Sequence, residues 1–455
     1  MGSELRDLWS NAGGIAPNDW KFSTLEDLLL TPKSISVGVM YPGKHVLGGI
    51  PLIKVSNVAN GTVVKTPVFC ISEKVDEEYK RTRLKGKELL LTLVGNPGDC
   101  VIVTPEMAGW NAARALAVLT LKDESLRYWL RMVLLSDPSK HIIDSRLNTT
   151  VQRTLNLKDV RDIPIPLPPK SVRDYLCDIA KTIEEKIELN RKTNETLEQM
   201  AQALFKSWFV DLDPVIDNAL EAGNTIPDEL QDRAERRQHQ LAKPDHQPLP
   251  SDIRQLFPSE FELTEELGWV PMGWEINNAE AVVVRLKAGK RYAKKDVSSN
   301  GRTPVYEQGQ SIILGYNDDE ASFSASIEEP TFIFGDHTCV TKLGVEPFSI
   351  SANVIPLKGG MRNTYWTYFA VKDLQSFEEY RRHWMEFSIK PVITPSVETA
   401  DLFENMIRPY IKKINDLERN SNNLEKTRDT LLPKLISGEL RLPSDTEQQP
   451  AAANS

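Results

Sequence analysis

Cationic, hydroxyl and amide side chains gather in the loops between short strand-like runs of this sequence. The chemistry they suit is the holding of phosphates and base edges. In the first third stand Lys54, Ser56 and Asn57, then Arg81, Arg83 and Lys85, then Asn96, and then Arg146, Asn148 and Thr149. A second set follows beyond the middle: Lys287, Lys290, Arg291, Lys294 and Lys295, and after them Arg302, Tyr306, Gln308 and Gln310. Lys and Arg reach phosphate oxygens, while Arg, Asn and Gln offer paired groups that match base edges. Any one of these residues also suits a solvated loop, so the clustering carries the reading.

Bond-breaking chemistry leaves no comparable mark. Gly43-Lys44-His45 and Gly289-Lys290-Arg291 lack the hydroxyl and the upstream glycine of a phosphate loop. No GxGxxG follows a strand-like run, and no Asn-Pro-Pro-aromatic tetrad occurs, so neither a dinucleotide fold nor a base-flipping amino-methyltransferase is expected. Asn96-Pro97-Gly98-Asp99 reads as a turn. The six histidines have no ligand spacing, and Gly335-Asp336-His337 reads as a strand-end turn. No catalytic residue and no metal site are expected.

The net charge of −9 at first argues against a polyanionic partner. Its distribution argues otherwise. Residues 20–170 hold 21 Lys and Arg against 15 Asp and Glu, a balance of +6. Residues 269–396 hold 14 against 15, and residues 211–268 hold 5 against 14. The field of an exposed charge fades within about 10 Å in salt, so the local balance decides phosphate binding. The second set needs a local patch, which residues 285–295 supply.

Short β-type runs split by Gly, Pro and Asn position the first set: Ile50–Val55, Thr62–Cys70, Glu88–Val94 and Cys100–Val103, followed by a helix at Leu126–Ser136. The stretch Ile163–Pro169 (IPIPLPP) cannot be helical, because proline fixes φ and lacks a donor; it is an extended connector. Residues 269–396 repeat the style, with runs at Ala281–Leu286, Thr303–Tyr306, Ser311–Leu314, Thr331–Phe334 and Asn353–Leu357. A helix at Arg381–Ile389 and a connector at Lys390–Pro395 complete them. Each part is therefore expected to be α+β. Residues 211–268, acidic and proline-rich, read as a flexible linker with a short charged helix at Ile226–Leu241. The tail 444–455 reads as disordered. No apolar run of about 18 residues occurs, the first residues carry no basic-then-apolar signal, and the four cysteines stand far apart. A cytoplasmic chain with reduced thiols is expected.

The chain also repeats itself at larger scale. Pro17-x-x-Trp20 opens one part and Pro271-x-x-Trp274 the other. At an offset of 227 residues, Ile187 falls on Ile414, Leu197 on Leu424, Glu198 on Glu425 and Leu204 on Leu431. The inward positions Ile187, Asn190, Asn194, Leu197, Ala201, Leu204 and Trp208 step by 3 and 4, as do Tyr410, Ile414, Leu417, Ser421, Leu424, Arg428, Leu431 and Leu435. Two long helices with seams, interrupted by polar residues that set register, follow from this spacing. Phe205, Trp208 and Phe209 form an aromatic cluster where the first helix ends. It suits either a partner-binding anchor or packing against the chain's own first domain.

These features together resemble one family. Lys186–Val215 (KIELNRKTNETLEQMAQALFKSWFVDLDPV) is similar to the central segment of type I restriction–modification specificity subunits, and Leu424–Leu442 (LEKTRDTLLPKLISGELRL) is similar to their C-terminal segment. The connectors, the Pro-x-x-Trp openings and Thr303–Gln310 fit as well. The resemblance implies a first target recognition domain over 1–170, a spacer helix over 171–210, the linker 211–268, a second recognition domain over 269–396 and a second spacer helix over 397–443. The helices would be an antiparallel coiled coil separating the two domains in a pseudo-two-fold repeat. It further implies a non-catalytic subunit that reads a bipartite, asymmetric site on double-stranded DNA. Separate modification (methyltransferase) subunits and restriction (translocase and nuclease) subunits would use S-adenosylmethionine, ATP and Mg. Two alternatives stay open from the residues alone: a DNA-recognition component of another phage-defence system, and a coiled-coil adaptor that does not touch DNA.

Overall fold

The proline-rich connector Pro164–Leu167 is a strand, paired antiparallel with Lys21–Thr24 directly after Trp20. It thus closes the first domain onto its own opening. Pro164 and Pro166 stand two apart, so their donor-less nitrogens lie on one edge. The Pro166 carbonyl accepts the indole N–H of buried Trp129 at 2.8 Å. The second connector behaves alike: Pro391–Thr394 pairs antiparallel with Glu275–Asn278, which follows Trp274.

The computed structural model describes residues 2–59, 62–63, 69–147, 153–245, 247–309 and 311–436. They form two compact units, Met1–Glu188 together with the chain from Ser421 onward, and Leu189–Asn420. In the first unit a four-stranded antiparallel sheet runs Ile35–Val37, Leu116–Leu119, Leu89–Thr92, Cys100–Ile102. In the second it runs Val283–Arg285, Val354–Gly359, Thr331–Gly335, Thr341–Gly344. Both orders read first, last, second, third in chain sequence. A second sheet repeats too. Ile50–Ile53 lies between antiparallel Phe69–Ile71 and parallel Asn111–Ala112, and Thr303–Tyr306 lies between antiparallel Ile313–Asn317 and parallel Ser349–Ser351.

Most of the expected runs sit within these strands, with local shifts. Residues 279–282 open a short helix, Ala279–Val282, before the strand Val283–Arg285, and only Trp384–Ser388 of the expected Arg381–Ile389 is helical. Of the expected strand Thr62–Cys70, only Thr62–Val63 and the part from Phe69 are described.

The linker expectation for 211–268 is overturned. Helix Asp213–Ala222 turns Val215, Ile216 and Ala219 into the core of the second unit, joined by Leu212, Ile226, Ala234, Phe257 and Phe261. Its opposite face carries Asp213 and Asp217. They meet Arg233 and Arg237 of helix Gln231–Leu241: Arg233 Nε and Nη2 each donate to Asp213 at 2.7 Å, and Arg237 Nε donates to Asp217 at 2.8 Å. Two i,i+4 pairs on facing helices form a ladder. Two of the acids that read as solvated, Asp213 and Asp217, are half of that ladder. Prolines work here as helix starters, since the first helical position needs no N–H; Pro214, Pro227 and Pro250 each stand at a helix opening.

The two long helices are Lys170–Phe205, continued by a wider turn Lys206–Val210, and Val397–Ile436. Within the second unit they meet in opposite directions. Asn190 Nδ2 donates to Asn420 Oδ1 at 2.9 Å, Asn194 Nδ2 donates to the Ile414 carbonyl at 3.4 Å, and Phe205 touches Phe403 at 5.5 Å between ring centroids. Of the expected polar interruptions of the seam, Asn190 is buried and pairs with the exposed amide of Asn420, and Asn194 is half-buried. Ser421 and Leu424 are half-buried, whereas Leu431, expected inward, is exposed. Residues 437–455, which include the last part of the expected spacer helix 397–443 and the tail, lie outside the described residues.

All four cysteines are free thiols. Burial pushes the Cys100 thiol up to about 12 and the half-buried Cys177 thiol up to about 11. Because the thiolate is the nucleophile, neither is expected to react with iodoacetamide at neutral to mildly basic pH until urea unfolds the chain. Mass spectrometry of labelled peptides reads this directly, and labelling of Cys100 in the native protein would contradict its buried place in the sheet.

Candidate nucleic-acid interface

In the first unit the 3₁₀ turn Val55–Asn57 is closed by the Asn57 side chain, whose Oδ1 accepts from the Lys54 N–H at 3.0 Å. Asn57 is thus engaged by the turn. It holds Ser56 out in solvent and Lys54 with its Nζ 3.5 Å from the centre of the Phe69 ring. An ammonium over a ring face still presents its remaining donors to a phosphate.

The second cluster sorts in two. Arg83 is an internal partner: its Nε donates to Asp76 at 2.7 Å and its Nη2 reaches Glu77 at 3.0 Å. The hydrogen bond to Asp76 raises the Arg83 pKa above its ordinary value, and Lys80, then Arg83, hold the Glu77 carboxyl below its own. Asp76 also accepts from Asn111 Nδ2 at 2.9 Å, and Asn111 Oδ1 accepts from the Thr82 hydroxyl at 2.8 Å, so the Asp76–Asn111–Thr82 network is buried and structural. Arg81 and Lys85 are exposed, with no side-chain partner among the described residues. Asn96 donates to Asp99 at 2.7 Å and shapes its turn. Arg146 donates to the Asp159 carbonyl at 2.8 Å, which binds it to the fold. Asn148 and Thr149 lie outside the described residues.

The second unit sorts the same way. Lys290 pairs with Asp319 at 2.7 Å, and the Tyr292 hydroxyl donates to the same carboxylate at 2.8 Å. That bond raises the Lys290 pKa and, with Tyr292, lowers that of Asp319. Arg291 Nη1 donates to the carbonyls of Ser351 at 3.0 Å and Val354 at 3.1 Å. Arg302 donates to the Asp318 carbonyl at 2.9 Å. Tyr306 is a core ring stacked on Phe348 at 4.6 Å, and burial pushes its hydroxyl pKa up, so its candidacy falls. Gln308 accepts from the His337 N–H at 2.9 Å and through its carbonyl from the Thr338 hydroxyl, and so ties two loops together. Gln310 lies outside the described residues. Lys287, Lys294 and Lys295 remain exposed without a side-chain partner among the described residues. The last two sit on a 3₁₀ turn fixed by Asp296, whose carboxylate accepts from the Ala293 N–H at 2.9 Å.

The aromatic cluster is internal. Phe209 lies 5.0–6.2 Å, centroid to centroid, from Phe205, Trp208, Trp274, Trp366 and Phe403. Trp208 adds Phe257 at 5.2 Å. Trp208 and Phe209 are buried and Phe205 packs against the same core. The partner-binding expectation for these three rings is therefore corrected, and the core they join is that of the second unit.

What the geometry leaves is a set of free cations on loop turns, with no group of metal-ligating residues among the described residues. No helix of the described residues is long and apolar enough to cross a membrane. Sequence reasoning passed over Arg114, which the structure leaves exposed just after the strand Asn111–Ala112.

Residues 17–199, from the Pro-x-x-Trp opening into the first long helix, match the family model of the type I restriction modification DNA specificity domain. The chain is 26% identical over 366 residues to the HindI specificity subunit of Haemophilus influenzae, covering 71% of this chain and 77% of that protein. It is 30% identical over 200 residues to the EcoBI specificity subunit of Escherichia coli, 42% of each chain. Among solved structures it is similar to a type I restriction-modification S subunit from M. genitalium, with a TM-score of 0.48 and 12% identity over 92% of this chain and 97% of that one. Residues 17–199 thus define a DNA specificity domain. Over the greater part of its length the chain is similar to type I restriction–modification specificity subunits.

Proposed function

We propose that this chain is the DNA specificity subunit of a type I restriction–modification complex, a non-catalytic reader of a bipartite duplex site, with one half read by each unit. The observation that carries this is the repeated strand order. The second unit, most of which lies beyond the matched residues 17–199, has a four-stranded sheet in the same order as the first unit and a second sheet that repeats the first unit's three strands with one strand added. Equal frames with different loops fit two half-sites of different sequence. The paired helices would be the spacer of a pseudo-two-fold repeat. Modification and restriction subunits would be its cytoplasmic partners and would hold S-adenosylmethionine, ATP and Mg. Methylome sequencing of the host tests the reading: a bipartite modified motif that disappears when this chain is deleted supports it. Methyl transfer by the purified chain alone would overturn the non-catalytic part.

The phosphate contacts of the second unit are narrower than its basic run suggests, since Lys290 and Arg291 are already engaged. Replacing Lys294 and Lys295 together by alanine is expected to weaken binding to all duplexes alike. It is also expected to reduce the slope of log K against log salt by up to about 2, near one unit per phosphate contact. Filter binding across a salt series measures it. An unchanged slope would exclude these two lysines from the interface.

A further inference from the structure

Asn300 is followed by Gly301 on the loop between the strands Arg291–Tyr292 and Thr303–Tyr306 of the second unit. The sequence's other Asn-Gly pair, Asn60-Gly61, lies outside the described residues. An asparagine side chain is open to attack by the backbone nitrogen of the residue after it, and that residue's own side chain normally shields the nitrogen. Glycine has no such shield. At position 301 the fold requires glycine. An ideal Cβ there would stand 2.9 Å from the backbone nitrogen and oxygen of Asn317 and 2.9 Å from the Tyr316 Cβ, closer than side chains pack. Any larger residue would have to push the strand Ile313–Asn317 aside.

The reacting groups are unengaged. The Asn300 side chain is exposed and makes no hydrogen bond among the described residues, and the Gly301 N–H has no acceptor among them. The Ser298 hydroxyl donates to the Asn300 carbonyl. That bond draws electron density from the peptide unit that ends at the Gly301 nitrogen, and a polarised amide gives up its N–H proton more readily. The chain is held on either side of the pair. Ser298 and Tyr316 exchange backbone hydrogen bonds at 2.9 Å in each direction, and the Arg302 N–H donates to the Asp318 carboxylate at 3.1 Å.

We infer that Asn300 is a site of spontaneous modification, at which a neutral amide becomes a carboxylate within a phosphate-binding loop. The Gly301 nitrogen loses its proton and bonds to the Asn300 Cγ, the amide nitrogen leaves as ammonia, and a cyclic imide remains. Water then adds to one of the two imide carbonyls and breaks its bond to nitrogen. At Cγ this restores the chain with aspartate; at the backbone carbonyl it leaves isoaspartate, with the chain routed through the side chain. Either product adds one negative charge. The same loop carries exposed Lys294, Lys295 and Arg302. A new charge acts over about 10 Å in salt, so the carboxylate opposes the cations this loop offers to phosphate. That consequence rests on the DNA-reading function proposed above; the modification itself does not.

The test incubates the full chain at mildly basic pH and follows its tryptic 296–302 peptide by mass spectrometry, with the synthetic peptide of the same sequence as reference. The folded chain is expected to yield both products, seen in mass as the exchange of NH for O, with the isoaspartate form accepting a methyl group from protein isoaspartate methyltransferase. Asn300→Ser should yield neither. An intact Asn300 in the folded chain, under conditions that convert the free peptide, would overturn the site. For the consequence, Asn300→Asp is compared with fresh wild type and with Asn300→Ser by filter binding across a salt series. Asn300→Asp should weaken binding to all duplexes by up to about fivefold, the worth of one exposed charge pair. It should also reduce the slope of log K against log salt by up to about one unit, while Asn300→Ser binds like wild type. Wild-type affinity and slope in Asn300→Asp would overturn the effect on binding. No duplex binding by wild type at any salt would overturn the DNA reading, whereas the conversion of Asn300, read by mass, stands or falls by itself.

Discussion

Phe209→Ala is expected to destabilise the second unit by about 3–5 kcal/mol, the usual cost of truncating a buried aromatic ring whose surroundings cannot collapse. The total stability of a domain is of order 5–15 kcal/mol, so the loss takes a large share of it. Five aromatic rings line the space that Phe209 fills. They come from the first long helix, the second long helix, the domain opening at Trp274 and the helix Thr364–Val371, so no single element can close the void. The expected result is a lowered urea midpoint for the second unit and loss of its near-ultraviolet circular dichroism. Phe209→Leu, which keeps most of the volume, should cost less than half as much. Any effect on assembly with partner subunits would then follow the loss of fold. If Phe209→Ala unfolded like wild type yet failed to assemble, the ring would be a docking anchor after all.

A loss of similar size is expected in the first unit from Glu184→Gln. Arg131, on the helix Arg127–Leu135, is buried, and its guanidinium meets Glu184 of the first long helix. Its Nε has no hydrogen-bond partner among the described residues. Removing the carboxylate charge leaves a buried cation uncompensated, for which about 3–5 kcal/mol is typical. The lower end, about 3 kcal/mol, is expected because Glu184 keeps 24% of its side-chain surface in water. Arg131→Met combined with Glu184→Gln should restore most of the loss, since the double variant buries no charge and the glutamine amide keeps part of its surface in water. A double-mutant cycle by urea denaturation measures the coupling. Additive single effects would mean that the pair contributes nothing to the docking of the long helix on its domain.

The free cations identify what a search of polar residues can and cannot find. Of the candidates named from sequence, Arg81, Lys85, Lys287, Lys294 and Lys295 are exposed and unengaged among the described residues, and Lys54 is half-buried against Phe69. Arg83, Arg146, Lys290, Arg291 and Arg302 are tied to their own fold. Each belongs to a residue type that suits phosphate equally well, so composition could not divide them.

What the sequence determined by itself is local in origin. The two long helices follow from apolar residues at 3- and 4-residue steps, because a helix brings those positions to one face whatever surrounds it. The strand-like connectors follow from proline, whose fixed φ needs no neighbour. The doubled plan follows from the repeated Trp openings and the 227-residue offset. What only the tertiary structure decided depends on partners far apart in the chain. Asp213 and Asp217 read as solvated acids until Arg233 and Arg237 fold against them. Arg291 reads as a free cation until the strand end at Val354 offers its carbonyl. The shared strand order of the two units was hidden for the same reason: a sheet is defined by pairing between distant segments, and a side chain facing a core can change identity while the backbone ladder stays the same.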